Sequence, residues 1–452
     1  MYPTGVLMAT QPRRAVITGI GVFAPIGMDT SSYWQSLVEG RSGVRAIQHM
    51  DVSEFGCRIA ADVPQFTDKF ARDVFNNPAD PKDKEAKDRQ KSLRLMARTV
   101  QLGVCVAQFA MNDAGMTKGM MDPTRMGVEF GAAIVHTELE DIARAAKTSS
   151  NCVPGAINMK IWGQAGLEQI QPTWMLKYLP NMPSCHVSIQ HDLQGPSNTI
   201  TVGDAASLIA LGEAFRIINR DLVDFVLVGG TESKLNPLNF VRQSLYQPLT
   251  STRNETPESA LRPFDRNRDG TVLGEGAAAF GLEELEHAKR RGAKIYAELC
   301  GFAAGFDRDR QGKTIAKVIR RALAEAGATP SDVDHVNAHG LGTQDSDQWE
   351  ANAIREVFGR DTPVVGLKGY LGDLGTAGSV VELVASLLAL QKGQLPPTLN
   401  CENPDPACGI AVHNNGMRAV TKPYVVKISF SDIGQVGVAV IRKWDSQASN
   451  EK

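Results

Sequence analysis

The chain has 452 residues, 42% hydrophobic and 22% charged, with a formal net charge of -2. This is globular rather than disordered composition, long enough for two fused domains or one large pseudo-symmetric unit. The charge balance gives no reason to expect nucleic acid or an anionic membrane as partner, and no apolar run reaches bilayer-spanning length.

The opening stretch MYPTGVLMATQPRR lacks a signal-peptide core. Seven cysteines (Cys57, Cys105, Cys152, Cys185, Cys300, Cys401, Cys408) are scattered, odd in number and without a CxxC pair. Reduced thiols and a cytoplasmic location are expected, with no zinc site or disulfide framework.

Residues 14–24 are a β-branched run ending in glycines, read as a buried strand and turn. Residues 30–39 suit a helix capped by Thr30 or Ser31. The charged segment 76–92 reads as a solvated loop leading into a long helix over 92–114. MGVEFGAAIV (126–135) predicts a strand, and 145–180 predicts irregular loops and short helices. TITV (199–202) predicts a strand running into a helix after Asp204, and DFVLVGGTES (224–233) a buried strand. The second half repeats the rhythm. AAAFGLEELEHAKRRG gives strand and helix, KIYAELCGFAAG a strand, KTIAKVIRRALAEAG an amphipathic helix, and HVNAHG a strand ending at His339. TPVVGL is a strand, GSVVELVASLLALQKG a buried helix, and YVVKISFSDIGQVGVAVIRK a hairpin. Strand–helix alternation in both halves means α/β with mixed sheets between helices.

The layout around Asp204, strand then turn then Ala-rich helix, is that of a nucleophile elbow. A thiol on such a turn would be acidified by the helix dipole and would attack thioesters. Here the position carries a carboxylate, which suits helix capping.

Several segments together resemble the β-ketoacyl-ACP synthase family, closest to the synthase II type. They are RAVITGIGVFAPIG, LPNMPSCHVSI, GGTES, ALRPFDRNRDGTVLGEGAAAFGLEELEHAKRRGAKIYAEL and VNAHGLGT, and the match runs in order from about residue 12 to about residue 443. The resemblance implies the thiolase fold, a five-layered αβαβα core from two similar halves, expected here as 12–262 and 263–445. It also implies a dimer and acyl thioesters carried on acyl carrier protein. No cofactor is expected beyond phosphopantetheine arriving on the carrier, and no metal site.

In that family a Cys takes the acyl chain, two His stabilise an enolate, and a Lys and a Glu support them. The carry-over is partial. Asp204 stands at the Cys position. His339 matches the first His. In KGYLGDLGTAG, Lys368 matches the Lys and, with a one-residue gap, Asp373 takes the second His position; with the gap elsewhere, Gly372 takes it and Asp373 faces solvent. Glu350 matches the Glu, and a Lys368–Glu350 pair would hold loops. Thr343 matches one of two threonines that contact phosphopantetheine, and Leu341 replaces the other. Asp432 replaces the Phe that gates the acyl tunnel. Cys185 matches a small residue and reads as a buried filler.

Three readings follow. A condensation-incompetent subunit would resemble chain-length factors and act as a homodimer or as a heterodimer with an active ketosynthase. An enzyme with altered chemistry would hydrolyse or decarboxylate acyl-carrier thioesters, with Asp204, Asp373 and Asp432 near His339, paired with Lys368 or around a cation. A binding module would hold acyl carrier protein, with Lys91, Arg94 and Arg98 as its basic docking face.

Overall fold

A computed structural model describes residues 13–445 apart from 78, 79, 81, 151, 152 and 154. The lead-in before residue 13 and Cys152 lie outside the described residues.

Eleven strands form the main sheet: β1 (Ala15–Phe23), β2 (Met126–Ala132), β3 (Ser197–Ile200), β4 (Phe225–Ser233), β5 (Glu275–Glu284), β6 (Ala297–Phe306), β7 (Val333–Ala338), β8 (Pro363–Gly366), β9 (Ala411–Val412), β10 (Tyr424–Phe430) and β11 (Gln435–Lys443). Their spatial order is β9-β8-β7-β10-β11-β6-β1-β5-β4-β2-β3. One pairing pattern occurs twice. In the first half β1/β5 and β5/β4 are antiparallel, and β4/β2 and β2/β3 parallel. In the second half β6/β11 and β11/β10 are antiparallel, and β10/β7 and β7/β8 parallel. The halves touch edge to edge only where Ala15–Ile17 of β1 meets β6. The first repeat takes in β5, residues 275–284, which lies between β1 and β4.

Five helices make the layers: α1 (Arg98–Asp113), α2 (Ala206–Asn219), α3 (Lys313–Glu325), α4 (Gln344–Phe358) and α5 (Gly378–Lys392). Helix α1, with Met182–His191 packed beside it, covers the outer face of the first half, and α3, flanked by α4, that of the second. Helices α2 and α5 lie between the halves, in the largest hydrophobic cluster. Residues 378–390 of α5 are buried without a break, as a helix apolar on all sides must be. Strands β1 and β5 are buried along their whole lengths. Among the described residues no helix is long and apolar enough to cross a membrane.

Local departures from expectation have local causes. Asp29, not Thr30 or Ser31, caps the first helix, accepting from the amides of Ser31 and Ser32. The charged segment read as a loop contains a helix, Lys84–Ser92, capped by Asp83. The long helix begins only at Arg98, because Met96 and Ala97 are extended.

Candidate active site

The elbow forms as the residues suggest. Gly203 adopts φ +66°, a left-handed turn that a side chain would strain, and a Cβ there would meet the Ser431 Cβ at 3.0 Å. The chain then makes a 3-10 turn over Gly203–Ala205 and enters α2. Asp204 thus sits at a helix N-terminus, but its carboxylate caps nothing: neither the turn nor α2 has a side-chain cap. The carboxylate turns instead toward two side chains. Lys234 Nζ lies 3.5 Å from Oδ1, and His339 Nε2 lies 3.8 Å from Oδ2. The Asp204 carbonyl is held by Ser429 Oγ at 2.9 Å.

Lys234 follows the last residue of β4. Its ammonium also donates to Asp373 Oδ2 at 2.6 Å. Asp373 is fully buried and accepts a second hydrogen bond, from the Gly375 amide at 3.2 Å. The gapped placement of Asp373 therefore puts it in the site and not in solvent. Glu232, two residues before Lys234, accepts from the Thr376 amide at 2.6 Å.

Lys368 does not pair with Glu350, as the sequence led us to expect. It donates to Glu382 of α5 at 2.5 Å, and Glu382 is also ion-paired with Lys427. Lys427 further donates to Asn337 Oδ1 at 3.0 Å and the Ala338 carbonyl at 3.1 Å. Glu350 instead accepts from the backbone amides of His339 (2.7 Å) and Gly340 (2.8 Å). It fixes the turn that aims His339. The Phe430 ring packs on the imidazole, centroids 4.7 Å apart.

Electrostatics follow from burial. Burial first, then the charge of Asp373, pushes the Asp204 carboxyl up to about 7. Burial also opposes ionisation of Asp373, but Lys234 and Lys368 outweigh it and hold that carboxyl below its usual range. Lys234 is raised: its burial is outweighed by Asp204, Asp373 and Glu232. Burial, and then the three lysines, hold His339 well below its ordinary value, so the ring is neutral. The Glu350 carboxyl is pushed up to about 7 by burial.

The remaining expected residues surround this cluster or lie farther off. Asp432 is exposed on the β10–β11 turn; it lies beside Gly203, and its carboxylate is no part of the Asp204–Asp373 cluster. Turn geometry, which suits Asp, is enough to place it there. The third carboxylate near Lys234 is Glu232. Among the described residues no group of three or more His, Cys, Asp or Glu has a metal-binding arrangement; the position between Asp204 and Asp373 is filled by the Lys234 ammonium. Leu341 and buried Thr343 lie on the loop after His339, where Arg268 Nε donates to the Thr343 carbonyl at 3.2 Å.

Arg98, its side chain partly exposed, is ion-paired with buried Glu275 at 2.6 Å and donates to the carbonyls of Phe66 and Val63. Lys91 and Arg94 are exposed, Lys91 paired with Asp88 at 3.3 Å. Cys185 is half-buried, not a core filler, and receives Asn181 Nδ2 at 3.4 Å.

Lys234, Glu232, Glu382 and Lys427 were not singled out from the sequence. Two carried a signal: Glu382 is the only acid in a predominantly apolar helix, and Lys427 sits in a largely apolar, buried strand. A charge in such a setting must be paired.

Comparison with known proteins agrees with this architecture. Residues 13–288 match the family model described as beta-ketoacyl synthase, N-terminal domain, and residues 296–402 its C-terminal domain. The chain is 35% identical to 3-oxoacyl-acyl-carrier-protein synthase 2 of Coxiella burnetii, over 96% of this chain and 99% of that protein. It is 33% identical to the tetracenomycin polyketide synthase ketoacyl synthase alpha subunit of Streptomyces glaucescens, over 95% and 97%. Similar solved structures include the ishigamide ketosynthase/chain length factor (TM-score 0.81, 28% identity, 96% of this chain and 100% of that one). A beta-ketoacyl synthase of Burkholderia phymatum is another (TM-score 0.82, 28% identity, 96% and 100%). The twice-repeated half-sheet with helices outside and between is the thiolase fold, and the chain belongs to the beta-ketoacyl synthase family.

Proposed function

We propose that this chain is a non-condensing ketosynthase-like subunit of fatty-acid or polyketide synthesis, one that pairs with an active ketosynthase in the manner of a chain-length factor. The observation that carries this is the ionic bridge at the elbow. A nucleophile there must be free to attack a thioester and to leave again. Asp204 is instead held by Lys234, which also holds Asp373. An acyl–aspartyl anhydride at this position would be open to water, which favours hydrolysis over condensation. Asp373 would repel a developing enolate where the family's second His donates to one.

Two further observations support a partner. The likeness to a ketosynthase/chain length factor structure is one. The other is β3, an outer strand with no neighbour on its far side among the described residues, whereas its counterpart β8 is covered by β9. An open strand edge invites pairing with another chain. Carrier docking would use the basic face of Lys91 and Arg94, with the partly exposed Arg98 beside them.

The test is purified chain with malonyl-ACP and an acyl-ACP primer, alone and then with a co-expressed ketosynthase. No β-ketoacyl product alone, and co-purification with the synthase, are expected. A product from the chain alone would refute the proposal.

One geometric feature favours a second reading, hydrolysis. A carboxyl near neutral titration faces a neutral imidazole at 3.8 Å. A thioesterase assay on acyl-ACP, with Asp204→Ala as control, separates the two.

A further inference from the structure

We infer that Lys234 is a positioning residue that shuts the elbow, tying Asp204 and Asp373 into one bridge so that no acyl group can be seated at position 204. The inference rests on the non-condensing reading and adds to it the residue responsible.

Lys234 directly follows the GGTES stretch. Its position is built, not incidental. Its amide donates to the Gly274 carbonyl at 3.1 Å, which fixes the start of the side chain. The side chain passes Gly375, where an added Cβ would come within 2.5 Å of Lys234 Cε and 2.0 Å of Glu232 Oε2. Gly375 also has φ +56° and donates its amide to Asp373. One glycine thus makes room for the lysine and orients its partner.

The bridge ends at Asp204, the one member that reaches solvent: its side chain is 14% exposed, against 3% for Lys234 and 0% for Asp373. An incoming thioester meets the bridge first. Seating an acyl carbon on residue 204 would replace a charged partner of Lys234 with a neutral one. It would also put an apolar chain against the Lys234–Asp373 pair. Restoring the thiol alone therefore leaves the site shut.

The test uses Asp204→Cys alone, with Lys234→Met, and with Lys234→Met and Asp373→Asn together. The probes are octanoyl-N-acetylcysteamine for acyl transfer and iodoacetamide for thiol titration, both read at position 204 by peptide mass spectrometry. The expected result is at least tenfold faster octanoylation in the triple variant than in Asp204→Cys. The alkylation midpoint of Asp204→Cys should lie at least one pH unit below that of the Lys234→Met double variant, because the ammonium stabilises the thiolate. Equal octanoylation with and without Lys234, or coincident alkylation profiles, would overturn the inference.

If the Met variants do not fold, lysine labelling by an N-hydroxysuccinimide ester replaces them. Lys234 should label at least tenfold faster in Asp204→Asn/Asp373→Asn than in wild type, and unchanged labelling would overturn the inference. Wild type is assayed for condensation in parallel. A β-ketoacyl product from wild type would sink the non-condensing reading, whereas octanoylation of Asp204→Cys as fast as that of the triple variant would sink only the role of Lys234.

Discussion

Two buried ionic triads face each other at the centre of this molecule with opposite composition. One is acid–base–acid, Asp204–Lys234–Asp373. The other is base–acid–base, Lys368–Glu382–Lys427. Each has one charge in surplus, and each surplus is pushed toward neutrality. Asp204 is raised, by burial and then by Asp373. Lys427 is lowered, by burial against the pull of Glu382. Lys368 is held charged by Glu382 and Asp373 against its own burial, so the triads also sense each other. They differ in access: Asp204 reaches solvent, while Lys368, Glu382 and Lys427 are sealed. The sealed triad supports the fold beneath the site, and the open one decides what can enter.

Breaking the sealed triad should have the largest effect. Glu382→Gln leaves two buried ammonium groups without their carboxylate and is expected to cost about 3–5 kcal/mol in urea unfolding. An effect under about 1 kcal/mol would mean that the lysines find other partners.

Lys234→Met comes next. It leaves Asp204 and Asp373 facing each other, with an expected cost of about 3 kcal/mol at pH 8. The cost should shrink at pH 5.5, where one carboxyl can take a proton. Melts at the two pH values check the ordering.

Asp204→Asn tests the open triad's pH dependence. The folded carboxyl titrates near 7 and the unfolded one near 4. The resulting stability is complete below about pH 4 and is lost as pH rises through about 7, by as much as about 4 kcal/mol. Wild type should therefore lose stability over that interval more steeply than the Asn variant. Asp373 acts in the opposite sense. Its depressed value adds stability above about pH 4 that is lost as pH falls below it.

Lys91→Ala sets the lower end of the scale. Its pair with Asp88 is exposed, and the substitution should stay within about 0.5 kcal/mol by urea unfolding.

Much of the fold was legible because β1, β5 and α5 are buried and predominantly apolar. The segment Lys84–Ser92 was not, since a helix with no buried residue leaves no apolar stripe to find. Within the site, Asp204, His339, Lys368 and Asp373 were reachable by position. Their partners were not, because pairing across β4, β10 and α5 joins residues far apart in the chain. Lys368 and Glu350 match the family's Lys and Glu and looked like a pair, yet the fold gives Lys368 to Glu382 and Glu350 to two backbone amides. Lys234, just past the end of β4, carried no signal in the sequence, and the fold turns it inward. Asp432, aligned with the gate, lies on an exposed turn beside Gly203.

Intact-mass spectrometry of the wild-type chain after incubation with acyl-ACP tests the central claim most directly. We predict unmodified protein, because the carboxylate at position 204 stays bound to Lys234. A stable acyl adduct mapped to Asp204 would contradict it.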